Sequence, residues 1–300
     1  MDRRAAWVLG IIFGGLFLLL FAFLAVFWAA VRGGSSADTG GDRIGVIEIK
    51  GEITDAKKTL EDLKDFRDDK AIKAVVVRID SPGGAVAPSQ EIYEALRKLR
   101  EKKKVVASMG SLAASGGYYV ACAAEKIYAD PGTLTGSIGV IMQVPNVTGL
   151  MQWAGVHMNT LAAGKMKDSL SPFREMRPDE RAYYEGVLED VHDQFIGAVA
   201  LGRGLKVEQV RPLADGRVFT GRKAKELKLV DELGGMTDAV QAAAKMAGLS
   251  GEPKLEYPEK PRKLLNRLLG DDAETLFHGL AQTATHTFGF GLEYKLPAAP

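Results

Sequence analysis

The sequence GSLAASGGYY, residues 110–119, follows an apolar run at residues 105–108 and leads into an apolar helical pattern over residues 116–124. A serine at such a strand-to-helix turn is expected to expose its side chain, and the first amides of the helix have no helical partner. Gly116 can therefore present a backbone N–H to an oxygen that gains negative charge during a reaction. The stretch indicates a nucleophile, Ser115, beside an oxyanion site.

A second glycine-rich turn, IDSPGG at residues 79–84, ends another apolar run, residues 74–79. Its glycines allow the backbone to approach a substrate closely and to point an amide inward, so Gly84 is a second candidate oxyanion donor. Either turn alone is typical of an ordinary loop. Two of them, each at the carboxyl end of a predicted strand, favour a catalytic site.

Short apolar runs alternate with helical spacing along the rest of the chain, which predicts a layered α/β domain over residues 44–250. The predicted strands are residues 44–49, 74–79, 105–108, 138–142 and 157–162, with another near Ile127. The predicted helices are residues 59–66, 90–99, 116–124, 178–201, 207–211, 221–227 and 237–246. The proline-containing, polar residues 251–300 form a C-terminal extension, which either docks on a partner or is a partly ordered tail.

The N-terminal segment has 27 consecutive uncharged residues, 5–31, and a helix of that length rises about 40 Å. Residues 1–32 are therefore predicted to be a cytoplasmic N-terminus followed by a transmembrane helix. The run is longer than the apolar region of a cleaved signal peptide, although Ala29 and Ala30 before a polar stretch leave cleavage open. Residues 33–43 are rich in glycine and serine and form a flexible tether. Arg3 and Arg4 before the span, with only Arg32 close after it, favour an N-terminus in the cytoplasm and a main domain on the other side.

Composition excludes several classes of protein. The formal net charge of +1 offers no basic surface for nucleic acid. The single cysteine, Cys122, has no partner for an internal disulfide, and the chain has no histidine and cysteine spacing typical of a metal site. No cofactor is expected.

Five motifs in order resemble the short form of signal peptide peptidase A, a family of serine peptidases with a ClpP/crotonase-type layered fold. The likeness runs from about residue 44 to residue 247. The motifs are DSPGG at residues 80–84, the Ser115 segment, TLTGSIGV at residues 133–140, GKMKD at residues 164–168 and DGRVFTGR at residues 215–222.

The resemblance implies that Ser115 is the nucleophile, that Lys167 is its general base and that Ser137 orients Lys167. It also implies a homo-oligomeric ring or dome whose subunits share grooves, anchored in the bacterial inner membrane with the catalytic domain on the extracytoplasmic side. The expected substrates are extended, hydrophobic peptides such as spent signal peptides.

The chemistry of lysine agrees with this assignment but does not choose between two candidates. A lysine near its reference pKa of about 10.4 is charged and cannot accept the serine proton, so a lysine base must lie where its neutral form is favoured. Lys165 shares a strand face with Lys167 if the segment is extended. Only the family motif favours Lys167.

Three other interpretations remain open from the sequence. In a Ser-His-Asp triad a histidine would be the base, but none of the four histidines lies in a recognisable catalytic motif. A crotonase-like acyl-CoA hydratase would use similar oxyanion amides with carboxylates instead of a serine and a lysine. A catalytically silent membrane scaffold would retain the fold and bind a partner through its C-terminal extension.

Overall fold

The computed structural model describes residues 41–258 and 293–295, together with Gly15, Phe17 and residues 20–22. Those five N-terminal residues are helical and exposed. Among the residues described, no helix combines the length and the apolar character that a membrane crossing requires. Most of the predicted span, residues 5–31, and most of the C-terminal extension lie outside the described residues.

The main domain is built on a sheet of eight strands in which most neighbours are parallel. The strands are β1 (Arg43–Lys50), β2 (Ile72–Ser81), β4 (Lys104–Ala114), β5 (Lys126–Ala129), β6 (Leu134–Gly136), β7 (Val218–Thr220), β8 (Glu232–Leu233) and β9 (Lys254–Glu256). Along the main path the strand order is β7-β6-β4-β2-β1-β9, and β5 joins β4 to β8 at the side. Only the β6–β7 pair of this sheet is antiparallel.

Each predicted helix is present in the main domain, with bounds that differ by a few residues. The helices are α1 (Lys57–Asp68), α2 (Val86–Arg100), α3 (Gly116–Ala121), α4 (Thr148–Trp153), α5 (Pro178–Arg203), α6 (Val207–Val210), α7 (Gly221–Glu226) and α8 (Met236–Met246), with a 3₁₀ turn at Arg211–Leu213. The longest helix, α5, begins at Pro178, and it ends before Gly204, whose φ of 62° suits a glycine.

Both faces of the central strands are buried, which explains why they read as continuous apolar runs rather than alternating ones. Val75 and Val77 pack on one face in the same cluster as Leu96 of α2. Val76 packs on the other face with Ala243 of α8. Burying each large apolar side chain contributes about 1.5–3 kcal/mol to folding. The α/β layered architecture predicted from the sequence is confirmed.

Two predicted strands are wrong. No strand runs through residues 138–142, and the strand of this region, β6, ends at Gly136, before Ser137 with its positive φ of 49°. No strand runs through residues 157–162 either, and all six of these residues are exposed. An apolar run forms a strand only where one of its faces can be buried. The run alone therefore does not distinguish a strand from a loop.

The turn at residues 79–84 leads into a further short strand that the sequence did not indicate, β3 (Gly83–Ala85). It lies outside the main sheet and pairs antiparallel with β10 (Glu293–Lys295), which comes from the C-terminal extension. β9 also falls in the range assigned to the extension, and it adds to the main sheet beside β1. Parts of residues 251–300 therefore pack on the main domain.

Candidate active site

Ser115 lies between the end of β4 and the start of α3, as the sequence predicted, in a strained backbone conformation. Its φ is 53° and its ψ is −120°, a region that costs a residue other than glycine about 1–3 kcal/mol. Two hydrogen bonds of 2.8 Å hold this geometry, from the Ser115 amide to the Gly136 carbonyl and from the Tyr119 amide to the Ser115 carbonyl. A sharp, strained strand-to-helix turn is typical of nucleophilic serines.

The predicted exposure of the Ser115 side chain is wrong, because the residue is 1% exposed. The turn packs beneath β3 and beside β6, and this contact excludes water from the serine. Its Oγ is buried and has no hydrogen-bond partner among the described residues. A buried hydroxyl is usually paired, so an unpaired one indicates a group kept for a partner that arrives from elsewhere.

Ser137 directly follows β6, as Ser115 directly follows the neighbouring strand β4. Ala114 and Gly136 are paired residues of the parallel strands β4 and β6, so Ser115 and Ser137 each follow a paired residue at the same edge. Ser137 also has a positive φ, is 4% exposed and donates its amide to the Arg217 carbonyl at 2.8 Å. The two serines are therefore brought together at the carboxyl ends of their strands.

The backbone of β3 turns the Gly84 amide toward the β10 edge. On the opposite edge, the Ile53 amide donates to the Gly83 carbonyl at 2.9 Å and the Ala85 amide donates to the Ile53 carbonyl at 2.8 Å. Since the polar groups of successive residues in a strand point to alternate edges, those of Gly84 point away from Ile53. A Cβ on Gly116 would lie 3.2 Å from the Gly84 nitrogen. The two predicted oxyanion donors are thus close neighbours.

We expect Gly84→Ala to reduce kcat of peptide hydrolysis by about 10²-fold or more, the effect of losing one oxyanion donor. An added Cβ would overlap the Ile53 carbonyl and lie 2.6 Å from the Ile53 nitrogen, so β3 has to shift. Gly132→Ala is the matched control, because a Cβ there meets nothing within 4 Å. Steady-state kinetics on both purified variants test this, and equal kcat values would contradict the role given to Gly84.

Lys167 is not brought to Ser115 within the described chain. Lys167 is exposed, and because the Ser115 Oγ has no partner, the lysine amine is not within hydrogen-bond reach of it. Lys165, the competing candidate, is also exposed and forms an ion pair of 2.9 Å with Asp179. Both lysines belong to residues 144–177, called the arm below, which joins the β6 region to α5.

A cluster of charges anchors the end of the arm that carries Lys167. The Arg174 guanidinium donates to both Asp168 carboxylate oxygens at 3.0 Å and to the two oxygens of buried Glu180 at 2.6 and 2.9 Å. Its hydrogen bonds lower the pKa of both carboxyl groups. Arg174 was not predicted from the sequence as part of the site. Two acidic residues could have pointed to it: Asp168 follows Lys167 directly, and Glu180 lies in the first turn of a predicted helix.

Other polar residues near Ser115 have structural contacts. The Asp80 carboxylate accepts a hydrogen bond from the Leu112 amide at 3.1 Å, and the Tyr118 hydroxyl donates to the Leu229 carbonyl at 2.8 Å. Burial raises the pKa of the Cys122 thiol to about 12, so it is not a ready nucleophile. The unpaired Ser115 Oγ also means that neither described histidine, His157 or His192, is hydrogen-bonded to it.

Comparison with known proteins points to one family. The sequence profile of peptidase family S49 matches residues 97–250 of this chain. The chain is 46% identical over 235 residues to a protein of Synechocystis sp. that is named as a protease, a match that covers 77% of this chain and 84% of the relative.

Two further relatives carry more specific names. A protein of Enterococcus faecium named as a signal peptide peptidase is 33% identical over 239 residues, which cover 79% of this chain and 68% of the relative. Protease 4 of Salmonella typhi is 37% identical over 238 residues, which cover 76% of this chain and 38% of that longer protein.

Proposed function

Because the chain belongs to peptidase family S49 and is a serine peptidase of the signal peptide peptidase type, we propose that it cleaves hydrophobic peptides with a catalytic dyad of Ser115 and Lys167. The observation that carries this proposal is the environment of Ser115. Its backbone is strained, and its Oγ is buried and unpaired beside two candidate oxyanion amides. We also infer that the layered domain has the ClpP/crotonase-type fold.

In the proposed reaction, the Ser115 Oγ attacks the carbonyl carbon of the scissile peptide bond while Lys167 accepts the hydroxyl proton. The amides of Gly84 and Gly116 donate to the oxygen that becomes negative. Lys167 then gives the proton to the leaving amine, and the peptide C–N bond breaks. Water, deprotonated by Lys167, then attacks the acyl carbon. The bond from that carbon to the Ser115 Oγ breaks, and Lys167 returns the proton to Oγ. Ser137, the residue beside the nucleophile, orients the lysine.

We infer that the base reaches Ser115 from a neighbouring copy of the chain. Ser115 has no base within hydrogen-bond reach among the described residues, and Lys167 is exposed on the arm. The arm also exposes large apolar side chains, among them Trp153 at 85% and Leu161 at 99%. Contact with a second copy would bury such side chains and would remove water from the lysine amine, which favours its neutral form.

Shared sites of this kind fit a closed ring or dome of identical subunits, because each interface is then the same and every Ser115 receives one Lys167. We propose that residues 5–31 anchor this assembly in the bacterial inner membrane as a single span. The catalytic domain would lie on the extracytoplasmic side, on the flexible tether of residues 33–43. Remnant signal peptides accumulate in that membrane and are extended and apolar.

The function is tested with the purified full-length chain in detergent. The substrate is a synthetic signal peptide that carries a fluorophore and a quencher, so that cleavage increases fluorescence. We expect hydrolysis of this peptide, and cleavage of a charged peptide of equal length at least about tenfold more slowly, because apolar pockets discriminate by roughly 1–3 kcal/mol per missing group. Equal rates on both peptides would contradict a preference for hydrophobic substrates. No hydrolysis of either would contradict the proposed activity.

A further inference from the structure

Five neighbouring strands of the main sheet each carry a basic residue in their first or second position. In sheet order, from β9 through β1, β2 and β4 to β5, these residues are Lys254, Arg43, Lys73, Lys104 and Lys126. The strands are parallel, and their register places each basic residue within two positions of the next, so all five lie at one edge of the sheet. Neighbouring strands lie about 4.8 Å apart, which gives a row about 20 Å long. This set of five residues is called the basic row below.

The turns that lead into these strands add to the positive charge of the edge. The turns and the first strand residues, 42–43, 69–73, 101–104, 125–126 and 252–254, contain eight basic and five acidic residues. The whole chain has a formal net charge of only +1. The positive charge is therefore concentrated at this edge, and the rest of the chain carries a small negative excess.

Part of this charge is not neutralised within the domain. Three members of the basic row have an acidic partner, as in the 3.0 Å ion pair of Lys104 with Glu125. Two acidic residues of the same turns, Glu101 and Glu252, are unpaired among the described residues. Four exposed lysines of the edge also have no described acidic residue within ion-pair distance: Lys70, Lys102, Lys126 and Lys254. The unpaired groups thus keep a positive excess that is available to an external anion.

The chain enters the domain at this same edge. β1 begins at Arg43, the last residue of the tether that the sequence predicts. On the proposal that residues 5–31 span the membrane, the bilayer is covalently attached here. A flexible coil of ten residues extends on the order of 15–20 Å, about two Debye lengths at 0.1 M salt. The edge can therefore come within the surface potential of an anionic bilayer.

We propose that the basic row and the unpaired lysines beside it bind the headgroups of anionic phospholipids and hold the domain on the membrane in one orientation. The inference rests on the membrane anchor given under the proposed function, which supplies proximity but no orientation. Each lysine near an anionic bilayer strengthens binding about fivefold, so four unpaired lysines are sufficient to orient a tethered domain.

The proposed orientation has a consequence for the substrate. Ser115 follows the other end of β4, which has 11 residues, and a strand of that length extends about 35 Å. The candidate active site would therefore face away from the lipid. A hydrophobic peptide would have to leave the bilayer before it reaches Ser115.

Lysine labelling in lipid nanodiscs tests the contact. The full-length chain is reconstituted into discs of phosphatidylcholine and into discs in which phosphatidylglycerol replaces part of that lipid. An amine-reactive acetylating reagent labels exposed lysines, and mass spectrometry gives the rate at each one. We expect the four unpaired lysines to react at least about fivefold more slowly in the anionic discs, and to recover in 1 M salt, where the Debye length falls to about 3 Å.

Two exposed lysines near the opposite edge are internal controls. Lys50 ends β1 and Lys57 begins α1, so both should react equally in the two kinds of disc. Protection of the four lysines in neither kind of disc overturns the proposal. Equal protection in both kinds also overturns it, because a contact that does not depend on lipid charge would then cover the edge.

Charge reversal shows whether the position of the charge matters. Lys102→Glu with Lys126→Glu should abolish the protection of the remaining unpaired lysines in anionic discs. Lys50→Glu with Lys57→Glu makes the same change in net charge at the opposite edge and should leave that protection intact. All four side chains are exposed, so both variants should keep the melting temperature. Equal loss of protection in the two variants would show a response to net charge alone and would overturn the proposed surface.

Recovery of the chain with the discs separates this proposal from the proposed anchor. Recovery with both kinds of disc supports the anchor, and the labelling then decides for or against the lysine contact. Recovery with the anionic discs alone supports the lysine contact and overturns the anchor. Recovery with neither overturns both. None of these results depends on hydrolysis, so the peptidase activity is judged by its own assay.

Discussion

Ser115→Ala is expected to reduce kcat for peptide hydrolysis by a factor on the order of 10⁶, the size of the loss when the nucleophile of a serine peptidase is removed. The nearby buried hydroxyl of Ser89 already donates to the Ala85 carbonyl at 2.9 Å. The measurement is steady-state hydrolysis of the quenched signal peptide.

The same substitution should leave the fold intact. Removal of a buried hydroxyl is costly when it leaves a partner unpaired, but the Ser115 Oγ has no partner among the described residues. The free energy of unfolding should therefore be unchanged or higher, because the buried, unpaired hydroxyl is removed. Ser111→Ala, at an exposed position of β4, is the matched control and should retain activity. Retained activity in Ser115→Ala, with a normal melting temperature, would refute the assignment of the nucleophile.

Lys167→Ala is expected to reduce activity by a factor comparable with that of Ser115→Ala. The two groups act in one proton transfer, so the double variant should be no worse than either single variant. Lys165→Ala is the matched control, since it removes only an exposed ion pair with Asp179, and surface ion pairs contribute little. We expect its activity to stay within about tenfold of the unmodified chain. The reverse order of the two lysine variants would show that Lys165 is the base.

Mixed assemblies decide whether Lys167 serves its own chain or a neighbour. Chains with Ser115→Ala and chains with Lys167→Ala are inactive alone. If each site combines two chains, co-expression in equal amounts gives sites with both native residues about one time in four, and about a quarter of the activity returns. If each chain supplies both residues, no site is complete and no activity returns. The second result would overturn the shared site.

Much of the fold could be predicted because its central strands are buried on both faces. The segments that form β1, β2 and β4 are rich in valine, isoleucine and alanine, and glycine-rich turns mark where two of them end. The three-residue strands β6 and β7 were missed, because so short a segment becomes a strand only through its neighbours in the sheet. The exposed residues 157–162 show the opposite error, since apolar character without a surface to cover does not form a strand.

The candidate site could also be predicted only in part. The positions of Ser115, Gly116 and Gly84 follow from local rules about where strands end and which turns need glycine, so the sequence was sufficient to place them. The location of Lys167 depends on the arm, which exposes large apolar side chains. Within the described residues, the Ser115 Oγ has no hydrogen-bond partner, so Lys167 is not paired with it. The pairing of β10 with β3 joins distant parts of the chain, and no local pattern indicates such a contact.

If Ser115 is an activated nucleophile, a fluorophosphonate probe should modify it. Such a probe bonds covalently only to a serine whose hydroxyl is activated by a base and an oxyanion site. Incubation with the full-length chain, followed by peptide mapping by mass spectrometry, should find the probe on Ser115 of the unmodified chain and of Ser111→Ala. It should be absent from Ser115→Ala and from Lys167→Ala. A probe found on another residue, or on Ser115 at equal rates with and without Lys167, would contradict the account.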